Sequence, residues 1–352
     1  MSRSVYLSLL CSSLIASLFL LAEVIKGEPQ PAPRACQYQT PLVQRDLKVP
    51  GWQDRDYDIY LPQTYDCDSG ADLVVAFHGG FGNKKSLSTV TCPDGRAENP
   101  ECFQNLATQS GFIVVMPNGS RQRRWNPRHR SFNAGGGTKN WNCVGGPNCD
   151  KNIDDISYFK ALLETVRRLN RVRNVFLTGI SDGAALSHRI ACEVPSLVRA
   201  IAPVAGENQF LTTKGTSCSH AEVSVLDIHG DADPCWKYEG GPGRCGTEGN
   251  YVSVPNSINF WVTANGCGEK PEVTRLPATT KDGIGVERYS YPQCKNGTRV
   301  EVYRVEGGGH TWPGGDQYAP KWLVGATTRN FEASRTMLKF FRDTALQSQN
   351  GH

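Results

Sequence analysis

The sequence has little charge bias: 38 Lys and Arg against 34 Asp and Glu leave a formal +4, too small to imply a general pull toward nucleic acid or an anionic membrane. It lacks a Cys-x-x-Cys pair, and the spacings Cys92 to Cys102, Cys143 to Cys149 and Cys235 to Cys245 do not resemble zinc-ligand arrangements. No metal site is therefore expected. Internal repeats are missing, and Gly-rich stretches such as 135–137 are too short to be linkers, so one folded domain accounts for the chain.

What is present begins with an apolar run, Val5 to Leu21, after Arg3 and before the small residues Ala22 and Gly27. Residues 1–27 read as a secretory signal peptide; the competing reading is an uncleaved membrane anchor, because the run is only slightly short of a bilayer span. Residues 28–35 are a Pro-rich tether, 36–346 the catalytic domain, and 347–352 a disordered tail. Of the 13 cysteines, Cys11 lies in the apolar run, which leaves an even twelve for an oxidising, extracellular compartment. Sequence does not fix their pairing; a near-neighbour set is Cys36 with Cys67, Cys92 with Cys102, Cys143 with Cys149, Cys192 with Cys218, Cys235 with Cys245 and Cys267 with Cys294. Asn118 and Asn296 stand in glycosylation triplets.

Short apolar runs recur at Leu73 to Phe77, Phe112 to Met116, Val175 to Leu177, Ile201 to Ala205 and Val223 to Ile228, each of strand length, and Val300 to Val305 reads as a further strand. Between them Ile156, Phe159, Leu162, Leu163, Val166 and Leu169 form a helical stripe, with Asp154 and Asp155 placed to cap its start. A last helix is expected over residues 330–346. Continuous apolar strands alternating with amphipathic helices predict an α/β fold with a mostly parallel central sheet covered on both faces, whose ligands bind beyond the carboxyl ends of the strands.

At one such end stands Gly179-Ile180-Ser181-Asp182-Gly183, a Gly-x-Ser-x-Gly motif between a strand and a helix. A serine exposed on a sharp turn becomes a nucleophile when an imidazole takes its proton and a carboxylate orients the imidazole. After the strand at 223–228 come His229, Asp231 and Asp233; far downstream, Gly309-His310-Thr311-Trp312 places a second histidine in a Gly-rich loop. Ser181, an acid and His310 are the expected catalytic residues, in the order Ser, acid, His. His229 is assigned the structural role of ordering its loop. The backbone amides of Asp182, Gly80 and Phe81, the last two in His78-Gly79-Gly80-Phe81-Gly82, are candidates for an oxyanion hole.

With these residues assembled, the chain resembles the polyhydroxybutyrate depolymerase-like and feruloyl esterase-like family of secreted α/β-hydrolases, over roughly Asp56 to Phe341. The landmarks are the His78 run, Asp154-Asp155, the Ser181 elbow with Ala191-Cys192 and Pro203-Val204-Ala205-Gly206, His229-Gly230 with Asp233-Pro234, Tyr238-Glu239-Gly240-Gly241, Asn265-Gly266-Cys267 and His310-Thr311-Trp312-Pro313-Gly314. The resemblance implies the α/β-hydrolase fold, a Ser-His-Asp acyl-enzyme mechanism without a cofactor, and Asp233 rather than Asp231 as the acid. Cys235, Trp236 and Lys237, and Asp182 in place of a common Asn, depart from the family pattern.

Trp141, Trp236 and Trp312 are candidate substrate-binding residues, offering an aromatic wall for a phenolic acyl group or sugar ring; core packing or disulfide shielding explains them equally well. Arg121, Arg123, Arg124, Arg128 and Arg130 form either a solvated loop or a rim for an anionic polymer. The partner expected is an ester-bearing polysaccharide or polyester, with no nucleic acid and no stable membrane association after signal cleavage. The activity expected is cleavage of feruloyl or acetyl esters on plant polysaccharide; a polyhydroxyalkanoate depolymerase and a non-catalytic binding protein on a hydrolase scaffold are the alternatives.

Overall fold

A computed structural model describes residues 42–123, 126–135, 153–212, 218, 222–244, 250–280 and 283–347, all within the unit Ala35–His352. The expected signal segment and tether, Cys36, Trp141, Cys143, Cys149, Cys245 and residues 348–352 lie outside the described residues.

The described strands are β1 (Val43–Val49), β2 (Trp52–Tyr60), β3 (Ala71–Phe77), β4 (Phe112–Pro117), β5 (Ser120–Arg123), β6 (Asn126–Ser131), β7 (Val172–Ile180), β8 (Ala200–Val204), β9 (Ser224–Gly230), β10 (Gly241–Pro242), β11 (Asn250–Tyr251), β12 (Glu272–Arg275), β13 (Val286–Tyr291) and β14 (Val300–Val305). The helices are α1 (Lys84–Val90), α2 (Phe103–Gln109), α3 (Asp155–Leu169), α4 (Asp182–Glu193), α5 (Val254–Ala264), α6 (Lys321–Val324) and α7 (Ala333–Gln347). The main sheet runs β1-β2-β4-β3-β7-β8-β9-β14-β13-β12. Its centre, from β4 to β14, is parallel, and antiparallel hairpins extend both edges. This is the expected α/β-hydrolase arrangement, a mostly parallel sheet with helices on both faces.

Alternation of side chains along the strands divides the core. Leu73, Val75 and Phe77 of β3 face a cluster that contains Phe159 and Leu162 of α3, Leu186 of α4 and Trp261 of α5. Val74 and Ala76 face the other cluster, with Phe103 of α2 and Met337 and Phe341 of α7. Both faces are buried, which is why the central strands carry unbroken apolar runs. The edge hairpins alternate with polar residues and gave no such signal in the sequence.

Two boundaries differ from expectation at the chain's last helix. It begins at Ala333 rather than Asn330, because the Asn330 Oδ1 accepts from the backbone N–H of Thr279 and from the Thr279 hydroxyl, tying this segment to a neighbouring loop. It also runs through Gln347, so that residue is helical and not part of a tail. Disulfides join Cys92 to Cys102, Cys192 to Cys218 and Cys267 to Cys294, as in the near-neighbour set. Cys67 and Cys235 are disulfide-bonded as well.

Asp154 caps α3 as expected, accepting the N–H of Ser157 at 2.9 Å. Asp155 does something else. It is fully buried, meets Arg55 Nη1 at 2.5 Å and accepts the N–H of Asn133. The Arg55 guanidinium lies over the Tyr158 ring, 4.2 Å from its centroid. Burial pushes the Asp155 carboxyl up, against the pull of Arg55 and the Asn133 amide. Replacing Arg55 by Met leaves a buried carboxylate without its cation, so urea unfolding should show a loss of about 3–5 kcal/mol; a loss below about 1 kcal/mol would show that the pair contributes little.

Candidate active site

Because the central strands are parallel, the loops after β3, β7, β8, β9 and β14 all leave the same edge of the sheet. Ser181 follows β7 with φ 59° and ψ −120°, outside the regions a side chain normally allows, at a cost of about 1–3 kcal/mol. The surroundings enforce it. Ser181 N–H is bonded to Val204 O of the neighbouring strand, and α4 begins immediately after. A Cβ on Gly183 would lie 2.3 Å from Phe77 O, so the helix start can approach β3 only as glycine.

Ser181, His310, Gly80 and Phe81 line one cavity of about 560 Å³. Behind His310, Asp233 Oδ2 accepts from Nδ1 at 2.7 Å, while its Oδ1 accepts the N–H groups of Cys235 at 2.7 Å and Trp236 at 2.9 Å. Burial alone would raise the Asp233 carboxyl; the facing rings of His310 and His229 overcome this and hold it well below the usual carboxylate range. With Nδ1–H committed to the carboxylate, His310 Nε2 is left as the proton acceptor. No hydrogen bond joins it to Ser181 Oγ among the described residues; such contacts often tighten only with substrate bound. Asp231 faces elsewhere, accepting from Arg304 at 2.8 Å and from the Gly307 N–H at 2.6 Å.

The candidate oxyanion donors sit on two braced segments. In the loop after β3, His78 Nδ1–H donates to Gly79 O at 2.8 Å and Nε2 accepts the Gly119 N–H at 2.9 Å. Only a neutral ring can do both, and burial pushes its pKa down to about 3. Phe81 is held at φ 60° beside it. The amide of Asp182 begins α4, where N–H groups lack helical partners. Its side chain turns away, accepting from Ser131 Oγ at 2.6 Å and Phe132 N–H at 2.7 Å. Burial pushes this carboxyl up to about 7.

The structure corrects other site assignments. Trp236 and Trp312 are buried and form no wall: Trp236 stacks on Tyr251, and Trp312 packs against Phe103 with its indole N–H on Ser334. Both side chains belong to the buried clusters of the core. Asn118 is also buried, donating to Asp56 and accepting from the Lys84 N–H, which leaves its amide unable to carry a glycan. Asn296 is exposed. Arg130 is buried and bonded to the carbonyls of Asp54 and Gly119, so it belongs to the scaffold and not to a charged rim; Arg121 is exposed. The aromatic residues lining the cavity are Phe81 and Tyr318; Trp322, next to Leu323 in the chain, is 81% exposed. Nothing in its sequence context, a turn of Pro, Lys and Leu, distinguished it.

No family model matches the chain. A Nocardia uniformis subsp. tsuyamanensis protein bearing the name esterase NocK is 29% identical over 197 residues, 53% of this chain and 56% of its own. Feruloyl esterase B of Piromyces equi is 22% identical over 257 residues, 72% of this chain and 42% of its own. The chain thus spans about half the length of these curated relatives. Among solved structures, an acetyl xylan esterase from Aspergillus awamori is 16% identical with a TM-score of 0.45, covering 76% of this chain and 94% of its own. The similar curated sequences carry the names esterase and feruloyl esterase.

The neutral His78 gives a test of how the loop is held. Its folded pKa of about 3 lies below the ordinary 6.5, so the unfolded chain takes up the proton first, and this contribution to stability is lost as pH falls from about 6.5 toward 3. Urea unfolding at both ends of that window should show a smaller acid loss in His78→Gln than in the wild type. Equal losses would mean that His78 is not the group responsible.

Proposed function

We propose, from this kinship with esterases and feruloyl esterases, that the chain is a secreted serine carboxylesterase with Ser181 as nucleophile, His310 as base and Asp233 as the acid that orients it. The carrying observation is the Asp233–His310 contact of 2.7 Å, aimed into the cavity where the strained Ser181 stands. Ser181 Oγ attacks the ester carbonyl as His310 Nε2 takes its proton. Charge developing on the carbonyl oxygen is met by the amides of Asp182 and of Gly80 or Phe81. The imidazolium then protonates the departing alcohol, and the neutral ring activates water to release the acid. Secretion accords with the apolar N-terminal segment and with the disulfides. Among the described residues no helix is long and apolar enough to cross a membrane.

The favoured substrates are feruloyl or acetyl esters on plant polysaccharide. One relative carries the name feruloyl esterase B, and the cavity walls, Phe81, Leu87, Val90, Ile180 and Leu323 among them, suit an aromatic acyl group. The exposed Trp322 offers a face on which a sugar ring could stack. A second reading, a polyhydroxyalkanoate depolymerase, is favoured by the same exposed Trp322 with Leu323 and Tyr318, each 40% exposed, as a grip on an apolar solid.

Ser181→Ala should abolish hydrolysis of a chromogenic short-chain ester while circular dichroism and thermal midpoint stay unchanged; wild-type turnover in that variant would remove Ser181 from the mechanism. Asp233→Asn should lower kcat by about 10⁴-fold, with Asp231→Asn much milder; the reverse order would transfer the acid's role. Comparing methyl ferulate, acetylated xylan and polyhydroxybutyrate film on one sample separates the substrate readings, with activity only on the film favouring the depolymerase.

A further inference from the structure

Beside the proposed triad lies a second buried imidazole, His229, whose two nitrogens both meet acceptors. Nε2 is 2.7 Å from the Trp236 carbonyl oxygen, which can only accept, and 3.4 Å from Asp233 Oδ2. Nδ1 is 2.8 Å from Glu207 Oε1. If Glu207 is ionised, both nitrogens must carry protons and the ring is a cation. The alternative, a protonated Glu207 donating to Nδ1, leaves the ring neutral.

The groups facing His229 favour the cation. Glu207 comes from the loop after β8, Asp227 from the same strand as His229, and Asp233 from the loop that follows. His188 of α4 supplies no competing charge, because its Nδ1 accepts the Trp261 indole N–H at 3.0 Å and its ring is therefore neutral. Tyr238 presents its ring edge-on at 6.1 Å, with the Arg304 guanidinium over that same ring, 5.7 Å from its centroid. His310 lies on the opposite side of Asp233. Burial alone would lower the pKa of His229; hydrogen bonds and charge from Asp233 and Glu207 reverse this and hold it well above the ordinary value.

We propose that His229 is a permanent imidazolium clamped between Glu207 and Asp233, and that it acts as a positioning residue which keeps the catalytic carboxylate ionised and turned toward His310. Glu207, His229, Asp233 and His310 then form one line of polar contacts that ends at the imidazole in the cavity with Ser181. Glu207 is also tied to the nucleophile through the chain: the preceding Gly206 packs so tightly that a Cβ there would lie 2.3 Å from Ser181 O. Removing the cation leaves Asp233 less compensated, so the base beyond it is protonated more easily.

The protonation state can be read without any catalytic assumption. In wild-type protein labelled with ¹⁵N-histidine, long-range ring spectra at about pH 8, above the ordinary imidazole range, should show one ring, missing in His229→Gln, with both nitrogens protonated. An unprotonated Nδ1 on that ring would overturn the proposal. The kinetic consequence rests on the esterase reading. In Glu207→Gln and His229→Gln, kcat should fall roughly ten- to a hundredfold with KM within about twofold, and the acid limb of kcat/KM should move up by about half a pH unit or more. A purely structural role would reduce the fraction of sites titrated by a serine-directed phosphonate without moving the limb; a folded variant with an unmoved limb overturns the positioning role. Absence of turnover in the wild type would defeat the esterase reading and leave the ring spectra to decide the charge.

Discussion

The arrangement depends on keeping one carboxylate charged where water cannot reach it. Asp233 is 3% exposed, and an unpaired ion there would cost several kcal/mol or simply take up a proton. It stays ionised because two backbone amides, those of Cys235 and Trp236, hold one oxygen and an imidazole meets the other. Those amides are placed by the turn after β9, and that turn is anchored by the bonds of Ala232 N–H to Gly308 O and of Arg244 N–H to Pro234 O. Carboxylate and imidazole therefore arrive together, since Gly308 belongs to the loop that carries His310.

The same economy recurs around the cavity. His78 fastens the loop after β3 to Gly119, Asp182 fastens the start of α4 to Ser131 and Phe132, and Arg55 fastens the first hairpin to Asp155. Each buries a polar group that would be a liability alone and is tolerable only because its partners come from distant segments already in place. The resulting loops are rigid enough to support backbone strain at Ser181 and Phe81.

Much of this was legible in the sequence, for identifiable reasons. Central strands such as β3 and β4 announce themselves because burial on both faces demands apolar residues in a row, and the Ser181 turn because close backbone contact demands glycine at fixed spacing. The edge strands β1, β2, β12 and β13 were not foreseen: half exposed, they carry Arg, Asp, Glu and Lys like any surface segment. Tryptophans misled for a related reason. Size and aromaticity suit a binding wall and a core equally, and only burial decides between them; Trp236 and Trp312 are buried, while Trp322 is 81% exposed. Glu207 escaped notice because its partner His229 is remote in sequence and meets it only when β8 and β9 pair. Asp155, read as a cap, is likewise intelligible only once Arg55 is seen beside it.

The segment from Gly307 to Ala326 carries both the base and part of the cavity mouth. The Tyr318 hydroxyl donates to His310 O, His310 N–H is bonded to Val324 O, and Gly309 N–H to Ala326 O. Substitutions at Tyr318 or Leu323 that reshape the cavity would therefore also disturb the backbone that holds the His310 imidazole. Val90 of α1 shares in this coupling, since its carbonyl accepts the Asp316 N–H. Leu87, one turn earlier on the same helix, also lines the cavity and is the safer place to redesign.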